Sequence, residues 1–488
     1  MTATNSLPDG PKMPAFLRRM KFLFQPLEYM EDFAKVYGDN FTIWNRNGPS
    51  TIVFSHPQAL QQIFAATSDQ FDIGKTNIGL QYLLGANSLI LQDGIRHQRQ
   101  RQLLTPPFHG ERMRAYGENI REITQQVTKE WRIGQPFKIR ASMQEITLRV
   151  ILRAVFGLDE GQRFQELRQL LTKLLDINGS LLMSTVFFIP FIQKDLGVWS
   201  PWGQVLQLRR QIDELIYGLI RERRAELDQN RQDILSLMMS ARYADGQSMT
   251  DEELHDELMT LLVAGHETTA SALIWAFYWC DHTPEVREKL LAELDFFGDN
   301  PDPSSIVKLP YLTAVCLETL RIYPIVTGGF RRIAKAPIVV MGYNLPVGTV
   351  IATSIYLAHH REEVYPDSKQ FKPERFLERQ FSPYEYLPFG GGNRRCIGMA
   401  FAQYEMKLVL ATILSRFQLS LMNKHPVRPV RRGLTLAAPI GMRMVAKPVI
   451  KRATTPKTKD NLSHIPHSRA SQSVITEVNE SNENEIIH

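Results

Sequence analysis

The sequence predicts a mainly α fold with minor β, built as one large domain over residues 31–450. Three observations predict it. Helical periodicity dominates from about residue 95 to 320, β-like runs are short and scattered, and no linker composition interrupts the chain before residue 450. Hydrophobic residues at 43% and charged residues at 22% suit a chain that buries a sizeable core.

Residues 1–30 read as an N-terminal arm. Met1–Gly10 is polar and leads into no apolar signal region. Met13–Met30 mixes Phe16, Leu17, Phe22, Leu23 and Phe24 with Arg18, Arg19 and Lys21. Packing on the body is expected there, with peripheral membrane contact as the second reading. No stretch reaches the ~18 uninterrupted apolar residues of a membrane span, and a cytoplasmic location is expected. Phe41–Trp44 and Thr51–Phe54, around Asn47-Gly48-Pro49, read as a hairpin. Helices follow at 95–105, 111–132, 142–156, 161–178, 203–229, 250–280 and 284–296. Short strands are expected at Ile338–Val340, Thr349–Ile351, Leu434–Leu436 and Met442–Val445. Residues 451–488, rich in Ser, Thr, Asn and Glu, read as a disordered tail.

A net charge of +6, spread over 57 basic and 51 acidic residues, argues against nucleic acid and allows an acidic protein partner. The three cysteines, Cys280, Cys316 and Cys396, cannot form a disulfide framework or a CxxC metal site. Cys280 and Cys316 lie in apolar helical patterns and read as core. Cys396 stands apart in Phe389–Gly398, F-G-G-G-N-R-R-C-I-G, just before a helical pattern. Cationic neighbours and a helix N-terminus favour a thiolate, which is a ligand or a nucleophile.

Four further constellations can carry chemistry. His97 and Arg101 share one face of a helix, with Arg96 and Arg99 on the other. The pattern from Thr250-x-x-Glu253 to Cys280 is a capped, buried helix about 45 Å long. Gly265-His266-Glu267-Thr268-Thr269 is expected to interrupt it, because glycine and back-bonding threonines loosen the ladder. His266-Glu267 begins a zinc-protease pattern, but Ala270 stands where the second histidine is needed. Glu318-x-x-Arg321 places opposite charges in an apolar pattern, and Arg375 of Pro373-Glu374-Arg375-Phe376 can complete a buried cluster. Arg331-Arg332 opens a strand-like run.

Together these motifs, in this order, resemble the cytochrome P450 family from about residue 30 to 447. The bacterial, particularly cyanobacterial, members look most similar. The resemblance implies a single large domain holding haem b between the long central helix and the cysteine loop. It implies Cys396 as the axial thiolate, with Gly398 near the sulfur and Phe389 packed beside the haem. His97, Arg101, Arg332 and Arg394 would meet the haem propionates. Glu267 and Thr268 would deliver protons to dioxygen, and Glu318, Arg321 and Arg375 would brace the fold behind the cysteine. The implied reaction is monooxygenation by a monomer, fed by a separate ferredoxin and ferredoxin reductase. Arg96, Arg99, Arg112, Arg395 and Lys407 are candidates for the docking face.

The family's substrate-bounding segments read apolar here: Leu80, Leu83, Leu84, Leu89 and Ile90; Leu181, Leu182, Met183, Val186, Phe187 and Phe188; Leu261 and Ala264; Ile325 and Val326. A fatty acid, alkane or terpene is expected. The rival readings are a peroxygenase or hydroperoxide isomerase of the same fold, a non-catalytic haem sensor or carrier, and a cysteine hydrolase.

Overall fold

The computed structural model describes residues 7–449 except 46–47, 68–69, 109, 111, 159, 181–194, 196, 227–230, 296–300 and 424. The expected tail at 451–488, Asn47 of the hairpin turn, and the apolar residues from Leu181 to Phe188 lie outside the described residues. The contacts of the described chain form one compact unit that ends at Pro448.

The chain opens with α1 (Ala15–Phe24) and α2 (Pro26–Tyr37), so a helix runs straight across the boundary expected at residue 30. Leu27, Tyr29 and Phe33 bury against Phe41 and Val53, while Phe16, Leu17 and Phe24 of α1 face outward. Strands β1 (Asn40–Ile43) and β2 (Thr51–Phe54) form the expected antiparallel pair. Helix α3 (Pro57–Ala65) follows, started by proline in its first turn, and then the short β3 (Phe71–Asp72).

The helical body comprises α4 (Gly94–Leu104), α5 (Arg112–Lys129), α6 (Ile139–Phe156), α7 (Gln162–Asn178) and α8 (Pro201–Ala225), with β4 (Pro136–Lys138) before α6. Through its middle passes α9 (Asp251–His282), 32 residues and about 48 Å long. Its start is fixed by a capping box. Thr250 Oγ accepts from the Glu253 amide at 3.2 Å, and the Glu253 carboxylate accepts from the Thr250 amide at 3.1 Å. Pro284 stops it.

The expected interruption does not occur: α9 is helical throughout Gly265–Thr269. The Thr268 hydroxyl donates to the Ala264 carbonyl at 2.6 Å without breaking the helix. Gly265 serves close packing instead, since a Cβ there would lie 3.2 Å from Ile151 of α6. No helix among the described residues is long and apolar enough to cross a membrane.

After α10 (Pro310–Ile322) the chain turns to strands: β5 (Arg332–Ala334), β6 (Ile338–Val340), β7 (Tyr343–Leu345) and β8 (Val350–Thr353). A five-stranded sheet runs in the order β1-β2-β8-β5-β3, with β2 and β8 parallel and the other pairs antiparallel. Helix α11 (Met399–Leu414) then packs on α9 and α5. The chain closes with β9 (Phe417–Leu421), β10 (Val430–Arg432), β11 (Thr435–Ala437) and β12 (Arg443–Pro448), where β12 lies between β4 and β9. The main core gathers around α9, whose Leu258, Leu262, Leu273, Ile274 and Trp275 are fully buried. Each such side chain stabilises the fold by about 1.5–3 kcal/mol.

Candidate functional site

The cysteine loop is shaped by its glycines. Gly390 and Gly392 take φ of 74° and 62°, a region that side chains resist. A Cβ on Gly391 would meet the Phe64 ring of α3 at 2.9 Å, and one on Gly392 would meet the Phe64 carbonyl oxygen at 2.5 Å. The loop therefore lies flat on the end of α3, and the Cys396 amide returns to the Phe389 carbonyl at 3.0 Å. Gly392→Ala is expected to cost about 1–3 kcal/mol from the backbone alone. A shifted thermal unfolding midpoint would register it, and an unchanged midpoint would contradict this account of the loop.

Of the three cysteines, Cys280 and Cys316 are buried, and burial pushes both thiols up to about 12. Cys396 alone keeps accessible surface. Its neighbours do favour the thiolate, as expected: the Gly398 amide, Arg101 and Arg395 each lower the thiol's pKa, although desolvation by the surrounding protein outweighs them and raises it overall. Coordination to a metal cation would secure the thiolate, since a bound cation deprotonates a thiol outright.

Around this loop the structure gathers three arginines and a histidine. Arg332 enters from β5, buried, its guanidinium 4.7 Å above the Phe64 ring. Arg394 donates to Asp93 at 2.7 Å, to the Leu89 carbonyl at 3.2 Å and to the Gln92 carbonyl, and its buried Nε has no partner. His97 and Arg101 lie on α4. Burial, Arg394 and Arg101 hold His97 neutral, down at about 3. Burial, together with Arg394, lowers Arg332 to about 10. Among the described residues, Arg394–Asp93 is the one ion pair these four groups make. Buried cations with one carboxylate between them call for a further anion. An accessible thiol beside such a set fits haem, which brings a thiolate-binding iron and two carboxylates.

On α9, Ala264 is exposed and Thr268 half-exposed in a helix otherwise deep in the core. Glu267 is turned into a different environment. Its carboxylate accepts from Arg140 of α6 at 2.6 Å and Gln144 at 2.9 Å, with Arg432 of β10 at 3.3 Å. Burial alone would raise its pKa, but Arg140, Arg432, His266 and the Gln144 hydrogen bond together outweigh burial and hold the carboxyl below its usual range. Arg432 also grips Asp176 of α7 at 2.6 Å. Nothing local in the chain marks Arg140, Gln144 or Arg432 as partners of this carboxylate. The one available signal was that a buried carboxylate needs partners.

Glu318, Arg321 and Arg375 are brought together. Glu318 takes Arg321 through both oxygens, at 2.6 and 2.9 Å, and Arg375 at 3.1 Å. Arg321 spends its remaining donors on the His359 carbonyl at 2.7 Å and the Gln370 carbonyl at 3.3 Å. Of the suggested docking residues, Lys407 turns inward. Its ammonium donates to the Val307 carbonyl at 2.8 Å, and burial lowers its pKa. Arg99 pairs with Asp245 at 2.5 Å and Arg96 with Glu253 at 3.8 Å.

A family model described as Cytochrome P450 matches residues 8–443. Putative cytochrome P450 135B1 of Mycobacterium bovis and Mycobacterium tuberculosis is 35% identical over 449 residues, covering 91% of this chain and 92% of that protein. Putative cytochrome P450 138 of the same organisms is 35% identical over 443 residues, covering 90% and 96%. Two solved structures share the architecture. Retinoic-acid-bound cyanobacterial CYP120A1 has a TM-score of 0.78 at 24% identity, covering 91% of this chain and all of that one. The haem domain of cytochrome P450DA has 0.78 at 22%, covering 92% and 99%. The two mycobacterial proteins and the cyanobacterial one are in line with the bacterial resemblance read from the motifs. Near-full-length likeness in sequence and a shared architecture converge on one assignment: the chain belongs to the cytochrome P450 family and is a haem-thiolate monooxygenase.

Proposed function

We propose that this monooxygenase hydroxylates or epoxidises a hydrophobic substrate such as a fatty acid, alkane or terpene. It works as a cytoplasmic monomer and draws two electrons from a ferredoxin reduced by its own reductase. The observation that carries the site assignment is the accessible Cys396 beside Arg101, Arg332 and Arg394, which among the described residues make one ion pair, Arg394–Asp93. Cys396 would ligate the iron, with the Gly398 amide moderating the sulfur and Phe389 beside the haem, and His97, Arg101, Arg332 and Arg394 would hold the propionates. Bound there, haem supplies the reductive activation of dioxygen.

The chain's own part is to place substrate and move protons. Leu83, Leu84, Leu89, Leu261 and Ile325 are buried, Leu80 and Ile90 pack against the same core, and Ala264 and Val326 are exposed. Such walls support an apolar substrate. Glu267, held ionised by Arg140 and Arg432, points away from the Thr268 hydroxyl and would have to leave that grip before it could take up a proton and pass it towards Thr268. For that transfer the Thr268 hydroxyl must leave the Ala264 carbonyl. Arg112 and Arg395 remain the docking candidates without an acidic partner among the described residues.

Thr268→Ala is expected to keep consuming reductant while product per electron falls on the order of a hundredfold, the low end of what positioned proton transfer contributes. The lost electrons should appear as hydrogen peroxide. Turnover with peroxide alone, and none with ferredoxin and reductase, would replace this reading by a peroxygenase. A readout untouched by Thr268→Ala would point to a haem sensor. A screen of fatty acids and terpenes by the iron spin-state shift tests the substrate class.

A further inference from the structure

Asp93 stands where a residue ordinarily caps its own helix, and it caps something else. It immediately precedes α4, a position from which aspartate commonly accepts a bond from the helix's first amides. Here its side chain takes none from α4. It turns to an earlier part of the chain instead. Oδ1 accepts from the Ile73 amide at 2.9 Å and the Gly74 amide at 3.0 Å, and Oδ2 from the Gly74 amide at 2.9 Å. These amides open a short 3₁₀ helix over Gly74–Leu80 and would otherwise lack acceptors. The two stretches meet backbone to backbone, since a Cβ on Gly74 would lie 2.0 Å from the Leu91 carbonyl oxygen.

The same carboxylate reaches the cysteine loop, where its Oδ1 takes Arg394 at 2.7 Å. Arg394 donates further to the Leu89 carbonyl at 3.2 Å and to the Gln92 carbonyl. A guanidinium has five N–H groups in one rigid plane. The three bonds that Arg394 makes all go to residues 89–93, and its buried Nε has no partner among the described residues. A planar group held by three acceptors of one segment has its direction fixed before any other ligand arrives. Asp93 supplies the only charge among those acceptors. Around Arg394 stand Arg101 and Arg332, both of which repel it. Lys75, the other cation near Asp93, is committed to Asp72 at 2.5 Å. Without Asp93, then, two carbonyls alone would hold Arg394 against its cationic neighbours.

We propose that Asp93 is a positioning residue for haem: it aims Arg394 and thereby sets how firmly the protein keeps the group. The inference rests on the reading of Arg394 as a propionate partner. A carboxylate behind a ligand-holding side chain fixes that side chain's orientation. A donor already ordered loses less freedom when its ligand binds. With Asp93 removed, Arg394 turns away from Arg101 and Arg332, and a propionate meets a donor that must first be ordered again. The bonds of Asp93 also join Ile73-Gly74, the start of α4 and the cysteine loop, so one side chain ties three separate parts of the chain at the cofactor's edge.

The test is the rate at which ferric haem passes from the loaded full-length protein to excess apomyoglobin. Asp93→Asn and Asp93→Ser both leave a favoured capping residue before α4, so the start of that helix is spared. Each should lose haem roughly ten- to hundredfold faster than the wild type, the range found when the group behind a metal-site residue is removed. Arg394→Ala should lose it at least as fast, and adding Asp93→Asn to that variant should bring no further acceleration. The propionate bending band in the resonance Raman spectrum should shift in Asp93→Asn as it does in Arg394→Ala, which a change in stability alone does not produce. Wild-type haem loss in both Asp93 variants, or equal acceleration by Asp93→Asn with and without Arg394, would overturn the inference. Wild-type haem loss in Arg394→Ala would instead remove the propionate reading beneath it.

Discussion

Glu318→Ala is expected to yield little folded, haem-loaded protein. The carboxylate is fully buried and is the shared partner of Arg321, also fully buried, and Arg375, nearly so. Its removal leaves two guanidiniums facing each other in the interior, at a cost of about 3–5 kcal/mol. Whole-protein stabilities are only about 5–15 kcal/mol. The cluster also reaches well beyond three side chains. Glu318 accepts from the Lys372 amide at 2.9 Å, and the Arg375 guanidinium donates to the Pro366 carbonyl at 3.1 Å, so the loop ahead of the cysteine hangs on it. Denaturant unfolding and haem content of the soluble fraction are the measurements. Replacing Glu318 and Arg321 together by apolar residues should recover part of the loss, because no uncompensated pair remains. A Glu318→Ala protein as stable and as fully loaded as the wild type would show that the charges are separately solvated and that this account is wrong.

Cys396→Ser should act in the opposite sense, sparing the fold and ending the chemistry. The side chain keeps accessible surface and fills no core position, so unfolding without haem should move little. A hydroxyl in this site lacks the soft, electron-rich character of a thiolate. The carbon monoxide difference band that marks thiolate-ligated haem should vanish, and monooxygenation with it. The same band at full strength in the serine variant would place the iron ligand elsewhere. Parallel changes at Cys280 or Cys316 should leave the band in place, since those thiols are sealed in the core.

The contrast between these variants reflects how unevenly the molecule could be read from its sequence. Helices and strands were legible because their periods and punctuation are local: the capping box at Thr250, Pro284 behind α9, and the alternating runs of β1 and β2. The cysteine loop was legible because its spacing is contiguous. Gly265 was misread because a glycine in a helix has two uses, loosening the ladder or admitting a neighbour, and only Ile151 of α6 distinguishes them. For the same reason Phe64 could not be found from the glycines that need it. Arg140, 127 residues from Glu267, and Arg432 are single arginines among many, and nothing local marks them as that carboxylate's partners. Contacts set by tertiary packing leave no trace in period or spacing.

The parallel pairing of β2 with β8 carries a consequence for how the protein is made. Thr51–Phe54 lie against Val350–Thr353, so the central sheet joins strands separated by most of the chain. The floor of the cysteine loop, Phe64, likewise comes from the early part of the chain and its glycines from the late part. During synthesis the helical body can collapse through its local contacts, but β2 must wait for a partner that leaves the ribosome much later. The surface that would receive haem is therefore complete only once the late part of the chain has been made. Until then, the edges of β1–β2 and the end of α3 stay uncovered in the nascent chain, and this interval is where slow elongation, chaperone capture or haem shortage would divide the product between holoenzyme and aggregate.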